Sequence, residues 1–241
     1  MHRMSPTVFN GILIAFAVVT VALGALLPVS YYLPATLLVV YALIGAFAGF
    51  ERGRESARTM ALVAALCALA VVSRVVFAAI PFFKPTAGIV MLAGIALGAR
   101  NGFLIGAIAM LASNLLFGEG PWTPWQMLAF GLDGMVFGLL ADKGVIARVK
   151  WSMAMRTAVS AGAAAFVVVV SGPILDTSSV LIFSTGALTL EKTLAVYAAG
   201  FIPNVILAIA TFLTVFLLAN PFLTMLERMR SKYGIGCGNT A

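Results

Sequence analysis

Apolar runs long enough to cross a lipid bilayer recur along the whole chain and restrict its fold more than any other feature. A helix that spans a bilayer needs about 20 mostly apolar residues. Eight candidate spans meet or approach this length, at residues 9–27, 33–50, 59–79, 85–99, 102–117, 126–141, 157–175 and 193–218. The pattern therefore predicts an all-α integral membrane protein.

The composition excludes several classes of function. Only 10% of the 241 residues are charged, whereas a soluble domain carries about a quarter. The net charge of +7 is not gathered into a basic, aromatic-bearing face, so we expect no nucleic-acid partner. With two cysteines and one histidine, a disulfide framework, a metal site or a histidine relay is not expected. We expect no cofactor.

The first apolar run has two interpretations. Arg3 precedes it, and the segment at 22–24 loosely resembles a signal-peptidase cleavage site. The run is longer than the apolar region of a signal peptide, which is about 7 to 15 residues. An uncleaved transmembrane helix is therefore the favoured interpretation.

Basic residues predict the orientation, because cytoplasmic loops concentrate lysine and arginine. If the N-terminus is cytoplasmic, the connections on that side hold twelve basic residues: Arg3, Arg52, Arg54, Arg58, Arg100, Lys143, Arg148, Lys150, Arg156, Arg228, Arg230 and Lys232. The other side holds Lys84 and Lys192. We expect a multi-pass protein of the plasma membrane with both termini in the cytoplasm.

Three connections on the predicted outer side differ from the plain, basic inner loops. They are IPFFKP at 80–85, GEGPWTPW at 118–125 and the segment 176–192. Their aromatic residues and prolines are typical of a stiff cover over the mouth of a bundle. The alternative is an interfacial belt, since tryptophan favours the headgroup region in any membrane protein.

Polar side chains inside the spans lie toward the same outer side. Arg74 and Asp133 have similar predicted depths and opposite charge, which favours an intramembrane pair. Such a pair would either contact a ligand or only fix the orientation of its helices. The other polar groups are Asn114, Gln126, Tyr197 and Asn204. Polar groups confined to one half of the bilayer predict an outward-facing cup rather than a channel.

No motif of an enzyme is present: the chain has no HExxH, GxSxG or GxxxxGK sequence. We therefore expect a non-enzyme whose energy source is on another polypeptide. Two alternatives remain at this point. One is a proton-coupled secondary transporter that uses Asp133, and the other is a membrane scaffold subunit.

Small residues recur four apart on several spans and predict close helix packing. The glycine pairs are Gly94 and Gly98, Gly102 and Gly106, and Gly134 and Gly138. An alanine ridge that includes Ala61 and Ala65 follows the arginine-rich loop at 52–58. We expect the glycines to serve internal packing and this ridge to contact a partner.

The sequence resembles the S components of energy-coupling factor (ECF) transporters, the vitamin-uptake branch of the ABC systems. The resemblance rests on SRVVFAAIPFFKP, SNLLFGEGPWTPWQM and AFGLDGMVFGLLAD. It implies a six-helix substrate-binding core at 57–220, preceded by two extra transmembrane helices at 1–56 and followed by a cytoplasmic tail at 221–241.

The resemblance also implies a vitamin-like substrate, a transmembrane T subunit and two cytosolic ATPases. Ala61 and Ala65 would form the docking surface for the T subunit. The expected substrate-binding residues are Arg74, Phe83, Lys84, Asn114, Trp122, Trp125, Gln126, Asp133, Tyr197 and Asn204. Cobalamin or another corrinoid is the first expected substrate, and a smaller vitamin or heterocycle is the second.

Overall fold

The structure, a computed structural model, describes residues 16, 19, 20, 32–51, 56–148, 151–183 and 189–233. Within these ranges it contains eight α-helices, one π-helical segment and no strand. Of the predicted first span at 9–27, only residues 16, 19 and 20 are described, and all three are helical. The rest of that span lies outside the described residues.

Every other predicted span coincides with a helix, which confirms the all-α fold. The helices are α1 (Tyr32–Glu51), α2 (Ala57–Val76), α3 (Thr86–Leu97), α4 (Ala99–Phe117), α5 (Thr123–Asp142), α6 (Met153–Phe166), α7 (Gly172–Phe183) and α8 (Leu190–Tyr233). A π-helical segment, Val167–Ser171, joins α6 to α7 in one continuous helix. Five of the described helices are long and apolar enough to cross a membrane.

The short helix α3 lies in the centre of the bundle. Every residue from 86 to 96 is buried. A helix surrounded by protein on all sides needs no polar face, which explains its uniformly apolar sequence. Its 12 residues are enough because α3 packs among longer helices rather than against lipid.

Glycines allow α5 to approach α3 and α4 at backbone distance. A Cβ atom on Gly102 would lie 2.3 Å from the carbonyl oxygen of Gly134, and one on Gly106 would lie 2.1 Å from that of Phe130. Real Cβ atoms are never so close to a carbonyl, so only glycine fits at these positions. The expected packing role of the glycine pairs is confirmed on α4 and α5.

The predicted outer connection at 176–192 is wrong in its first half. Residues 176–183 are helical and belong to α7, while 184–188 lie outside the described residues. The hydroxyl groups that suggested a loop bond back to the helix: Thr177 Oγ1 donates to Pro173 O at 2.7 Å, and Ser178 Oγ to Leu175 O at 2.7 Å. Because these hydroxyls form hydrogen bonds to carbonyl oxygens of their own helix, they do not end it.

Helix α8 is longer than the predicted span 193–218. It continues to Tyr233 through Pro221, and Leu223 and Leu226 are buried in the core. The expected boundary at residue 220 therefore lies inside a continuous helix.

One end of the bundle is closed by polar contacts between its connections. The Asp142 carboxylate accepts a hydrogen bond from the Ala99 amide at the start of α4, at 2.9 Å. It also forms an ion pair with Arg148, whose Nε donates to Ile95 O at 3.2 Å. We call this end, with the turn at Gly98 and the connection after α5, the closed end.

Candidate substrate-binding site

A cavity of about 520 Å³ opens at the other end of the bundle. Two groups of polar residues face it. Arg74, Lys84 and Gln126, from α2, the α2–α3 connection and α5, form what we call the first wall. Asp176 from α7 and Asn204 from α8, with Gly200 of α8 beside them, form the second wall.

Asn114 organises the first wall although it does not itself line the cavity. It is 1% exposed, and its Oδ1 accepts a hydrogen bond from Arg74 Nη1 at 2.8 Å. Its Nδ2 donates to Thr123 Oγ1 and to Gln126 Oε1, both at 2.9 Å. Arg74 Nη1 also donates to Ser113 Oγ at 2.5 Å. The side-chain amide thus links the guanidinium on α2 to the beginning of α5.

The segment GEGPWTPWQM contributes to the cavity through its polar residues. Thr123 accepts from Asn114 and donates to Glu119 Oε2 at 2.7 Å, so the connection is tied to the start of α5. Gln126 lies one turn of α5 from Trp122 and lines the cavity. The two prolines fix the backbone on which these hydrogen bonds form.

The α2–α3 connection supplies a cation and an aromatic ring at the cavity. Lys84 Nζ donates to the carbonyl oxygens of Phe77, Ala78 and Ile80, at 2.6, 3.4 and 3.1 Å. Partial burial lowers the pKa of Lys84, and the positive charge of Arg74 lowers it further. Phe82, which lines the cavity, has a φ of 59°. A bulky residue rarely adopts this left-handed conformation, and such strain is concentrated at functional sites.

The second wall consists of a carboxylate and an amide that two glycines bring together. Asn204 Nδ2 donates to Asp176 Oδ2 at 2.8 Å. A Cβ atom on Gly200 would lie 2.2 Å from Asp176 Oδ1, and one on Gly172 would lie 2.7 Å from Asn204 Nδ2. Each helix therefore places a glycine opposite the polar side chain of the other.

Apolar side chains line the cavity between the two walls. They are Met110, Phe130, Leu175, Pro203 and Leu207. A few polar groups around a mostly apolar interior are typical of small-molecule sites, whose volumes are about 300 to 1,000 Å³. The cavity thus has the size and chemistry to hold a compact molecule with an apolar middle and polar edges.

Six of the expected binding residues do not line the cavity: Asn114, which lies behind the first wall, Asp133, and four aromatic residues. The Trp125 indole is buried and donates to Thr36 Oγ1 on α1 at 3.4 Å, while Trp122 is 38% exposed and lies over Gly120. Phe83 stacks against Phe77, with ring centroids 5.6 Å apart. Tyr197 pairs with Thr177 Oγ1 at 2.7 Å.

The expected pair between Arg74 and Asp133 is wrong. Asp133 is fully buried, and its Oδ1 accepts from Ser171 Oγ at 2.5 Å. Its Oδ2 has no hydrogen-bonding partner in the described part of the chain. Similar depth did not bring the two charges together, because depth along a helix does not determine which face a residue occupies. Asp133 faces the π-helical segment and lies outside the cavity lining.

Of the expected binding residues, the structure places Arg74, Lys84, Gln126 and Asn204 on the cavity and Asn114 behind its first wall. Asp176, which also lines the cavity, was not among those expected. A signal for it exists. The segments GPILD at 172–176 and GFIPN at 200–204 each place a glycine four residues before a polar side chain, with a proline between them. Such a repeat on two spans predicts one close contact between them. The prediction requires that residues 172–183 form a helix, whereas the sequence pattern predicts a loop at 176–183.

A family model for the S component of the ECF-type riboflavin transporter matches residues 54–228. The chain belongs to this family. The match covers α2 to most of α8 and leaves α1 outside. Comparison with curated proteins and with solved structures gives no match.

Family membership has direct consequences for the function. The chain is a membrane-embedded, vitamin-uptake subunit of an ECF transporter and not an enzyme. Its substrate is vitamin-like, and its partners are a T subunit and ATPases. The expected S component is thereby confirmed.

Proposed function

We propose that the chain binds riboflavin in the cavity between the two walls. The observation that carries the proposal is the cavity itself, whose volume of about 520 Å³ suits a single tricyclic heterocycle with a short tail. A corrinoid has about three times as many non-hydrogen atoms as riboflavin and exceeds such a site. The cavity therefore supports the smaller heterocycle over cobalamin.

The distribution of polarity around the cavity also supports a flavin. The isoalloxazine ring is flat and largely apolar, and it would contact Phe130, Leu175 and Leu207. The pyrimidinedione edge and the ribityl hydroxyls carry both donors and acceptors. A cavity with cations on the first wall and a carboxylate on the second offers partners of both kinds.

The charge distribution supports a cavity that faces the exterior. Arg100, Lys143, Arg148 and Arg156 lie at or near the closed end, whereas Lys84 and Lys192 lie toward the cavity end. Lysine and arginine favour the cytoplasmic side. The proposed orientation agrees with the cytoplasmic termini that the sequence predicts and lets the subunit capture its substrate from outside.

The docking of the T subunit is proposed to use the alanine ridge on α2. Ala61 and Ala65 are exposed on the surface of the bundle, where small side chains permit close helix contact. Replacing Ala61 with leucine should leave riboflavin binding intact and abolish uptake in cells. Loss of binding in this variant would show that the ridge serves the fold instead.

Binding is tested with the purified chain in detergent, by titrating riboflavin and following the quenching of its fluorescence. We expect saturable binding of one riboflavin per chain and no competition from cobalamin. Absence of saturable riboflavin binding, or displacement by cobalamin, would overturn the proposal.

Two aromatic substitutions localise the binding. Phe130 lines the cavity and is 7% exposed, whereas Trp122 lies outside it. Phe130→Leu should weaken riboflavin binding by about tenfold, because a stacked ring is lost. Trp122→Ala is the control and should leave the affinity unchanged. The reverse pattern would place the flavin beneath the tryptophan segment.

A further inference from the structure

The second wall carries a hydrogen-bond acceptor that the fold does not use. Asp176 Oδ2 accepts from Asn204, but Oδ1 accepts from no residue that the structure describes. The residue is 9% exposed and faces the cavity, from which Oδ1 is accessible. A carboxylate oxygen is a strong hydrogen-bond acceptor. A molecule that fills the cavity can therefore donate to this oxygen.

The carboxylate is held in a fixed position. Gly200 leaves room for Oδ1 against the backbone of α8, and Gly172 leaves room for the Asn204 amide against α7. Because this contact is reciprocal, neither side chain can rotate away without losing its bond to the other. An acceptor fixed before binding has a low ordering cost and a high selectivity.

The cations on the first wall do not pair with Asp176. Arg74 Nη1 donates to Ser113 and Asn114, and Lys84 donates to three backbone carbonyls. Neither forms an ion pair with Asp176 among the described residues. The carboxylate is therefore available to a ligand.

The geometry points to Asp176 as a specificity-determining residue that accepts a hydrogen bond from the imide N3–H of the flavin. This inference rests on the proposed function. Asn204 gives one amide hydrogen to Asp176 and retains a second, so an acceptor and a donor lie side by side. The imide edge of a flavin presents the complementary pair, an N–H beside a carbonyl. A ribityl hydroxyl requires no such pairing.

The test compares riboflavin with 3-methylriboflavin, in which a methyl group replaces only the imide hydrogen. Dissociation constants are measured for the full chain in detergent. The wild type should bind the methylated flavin at least about tenfold more weakly, the usual effect of removing a hydrogen bond to a charged group. Equal affinity of the wild type for both flavins would overturn the inference without any variant.

Variants of Asp176 test whether the preference for riboflavin over 3-methylriboflavin depends on this residue. Asp176→Ala should weaken riboflavin binding by about ten- to hundredfold and bring the two affinities within about threefold of each other. A merely structural role would weaken both flavins equally and keep their ratio at the wild-type value. Asp176→Asn keeps the shape of the side chain and should reduce the ratio; an unchanged ratio in this variant contradicts the inference.

Ser179→Ala is the matched control. Ser179 lines the cavity one turn from Asp176, and its hydroxyl bonds to Leu175 O at 3.3 Å. Its removal should keep the wild-type ratio of the two flavins. The outcomes also separate the two proposals: a wild type that does not bind riboflavin ends the proposed function, whereas one that binds both flavins equally ends only the role of Asp176.

Discussion

The two walls of the cavity differ in how completely their polar groups are paired. On the first wall, Asn114 uses its carbonyl oxygen and both amide hydrogens within the protein. On the second wall, Asp176 pairs one oxygen with Asn204 and leaves the other open to the cavity. The comparison indicates a division of roles, in which the first wall fixes the framework and the second selects the substrate.

The walls also differ in packing. The first wall is attached to α4 and α5. The backbones of these helices are in contact at two places, where Gly106 meets Phe130 and where Gly134 meets Gly102. The second wall lies between α7 and the first part of α8, where no residue from 190 to 203 is buried. Regions with few buried contacts open more easily. We expect substitution of Asn114, which organises the first wall, to affect stability most and substitutions on the second wall to affect binding most.

The largest effect is expected from Asn114→Leu. The substitution keeps the number of side-chain heavy atoms and the branching at Cγ but removes three hydrogen bonds and leaves the Arg74 guanidinium without its amide partner. The free energy of unfolding should fall by about 3 to 5 kcal/mol, measured by denaturant titration in mixed micelles.

Asn101→Leu, on the same helix, is the control for this prediction. Asn101 is 7% exposed, its Nδ2 bonds only to Leu97 O at the end of α3, and its Oδ1 has no partner in the described chain. Its replacement should change the free energy of unfolding by less than about 1 kcal/mol. Equal losses in the two variants would refute the role of Asn114 as the organiser of the first wall.

The next effect is expected from Gly200→Ala on the second wall. The new methyl group would collide with Asp176 Oδ1, so the carboxylate must move, and riboflavin affinity should fall by about tenfold or more. Gly162→Ala is the control, because a Cβ there would meet no atom within 4 Å. That variant should bind normally and gain up to about 1 kcal/mol in stability. Normal binding by the Gly200 variant would show that the close contact is not needed.

A smaller effect is expected from Lys84→Met. The substitution removes the three bonds that hold the backbone from Phe77 to Ile80 and keeps most of the apolar stem. Because the connection also positions Phe82, riboflavin affinity should fall by about three- to tenfold, while stability changes by less than about 1 kcal/mol. Calorimetric titration and thermal unfolding separate the two quantities; a loss of stability without a loss of affinity would contradict the prediction.

The smallest effect is expected outside both walls, from Trp125→Phe. The indole bonds to Thr36 on α1 at 3.4 Å, so its loss should cost about 0.5 to 1 kcal/mol of stability and leave riboflavin affinity unchanged. Thr36→Val should have the same effect, and the double variant should be no worse than either single one. A change in affinity would show that the extra helix α1 reaches the cavity indirectly.

The number and the positions of the helices in the described chain were predictable from the sequence, because each span must bury its backbone polar groups within itself in lipid. The predicted helix ends were wrong where polar residues or proline lie inside a continuous helix. Thr177 and Ser178 look like loop residues but bond to their own helix. Pro221 looks like an end, but α8 continues through it.

The residues that line the cavity were predictable only where their depth in the bundle determines their position. Arg74, Gln126 and Asn204 are polar groups in one half of the bundle, and the structure places all three on the cavity. Asp133 has the same depth and is absent from the cavity lining, since it faces Ser171. The aromatic residues that line the cavity were the hardest to predict. Phe82 and Phe130 line it, whereas Phe83, Trp122 and Trp125 do not.

The sequence by itself determined that this chain is a helical membrane protein whose polar groups gather at one end, because hydrophobic length and charge are properties of single segments. Only the tertiary structure decided which polar groups meet. Asp176 and Asn204 come from different helices. Their contact is possible because Gly172 leaves room for Asn204 and Gly200 leaves room for Asp176. Rotation of a helix about its axis is set by packing against its neighbours, and no single segment encodes it.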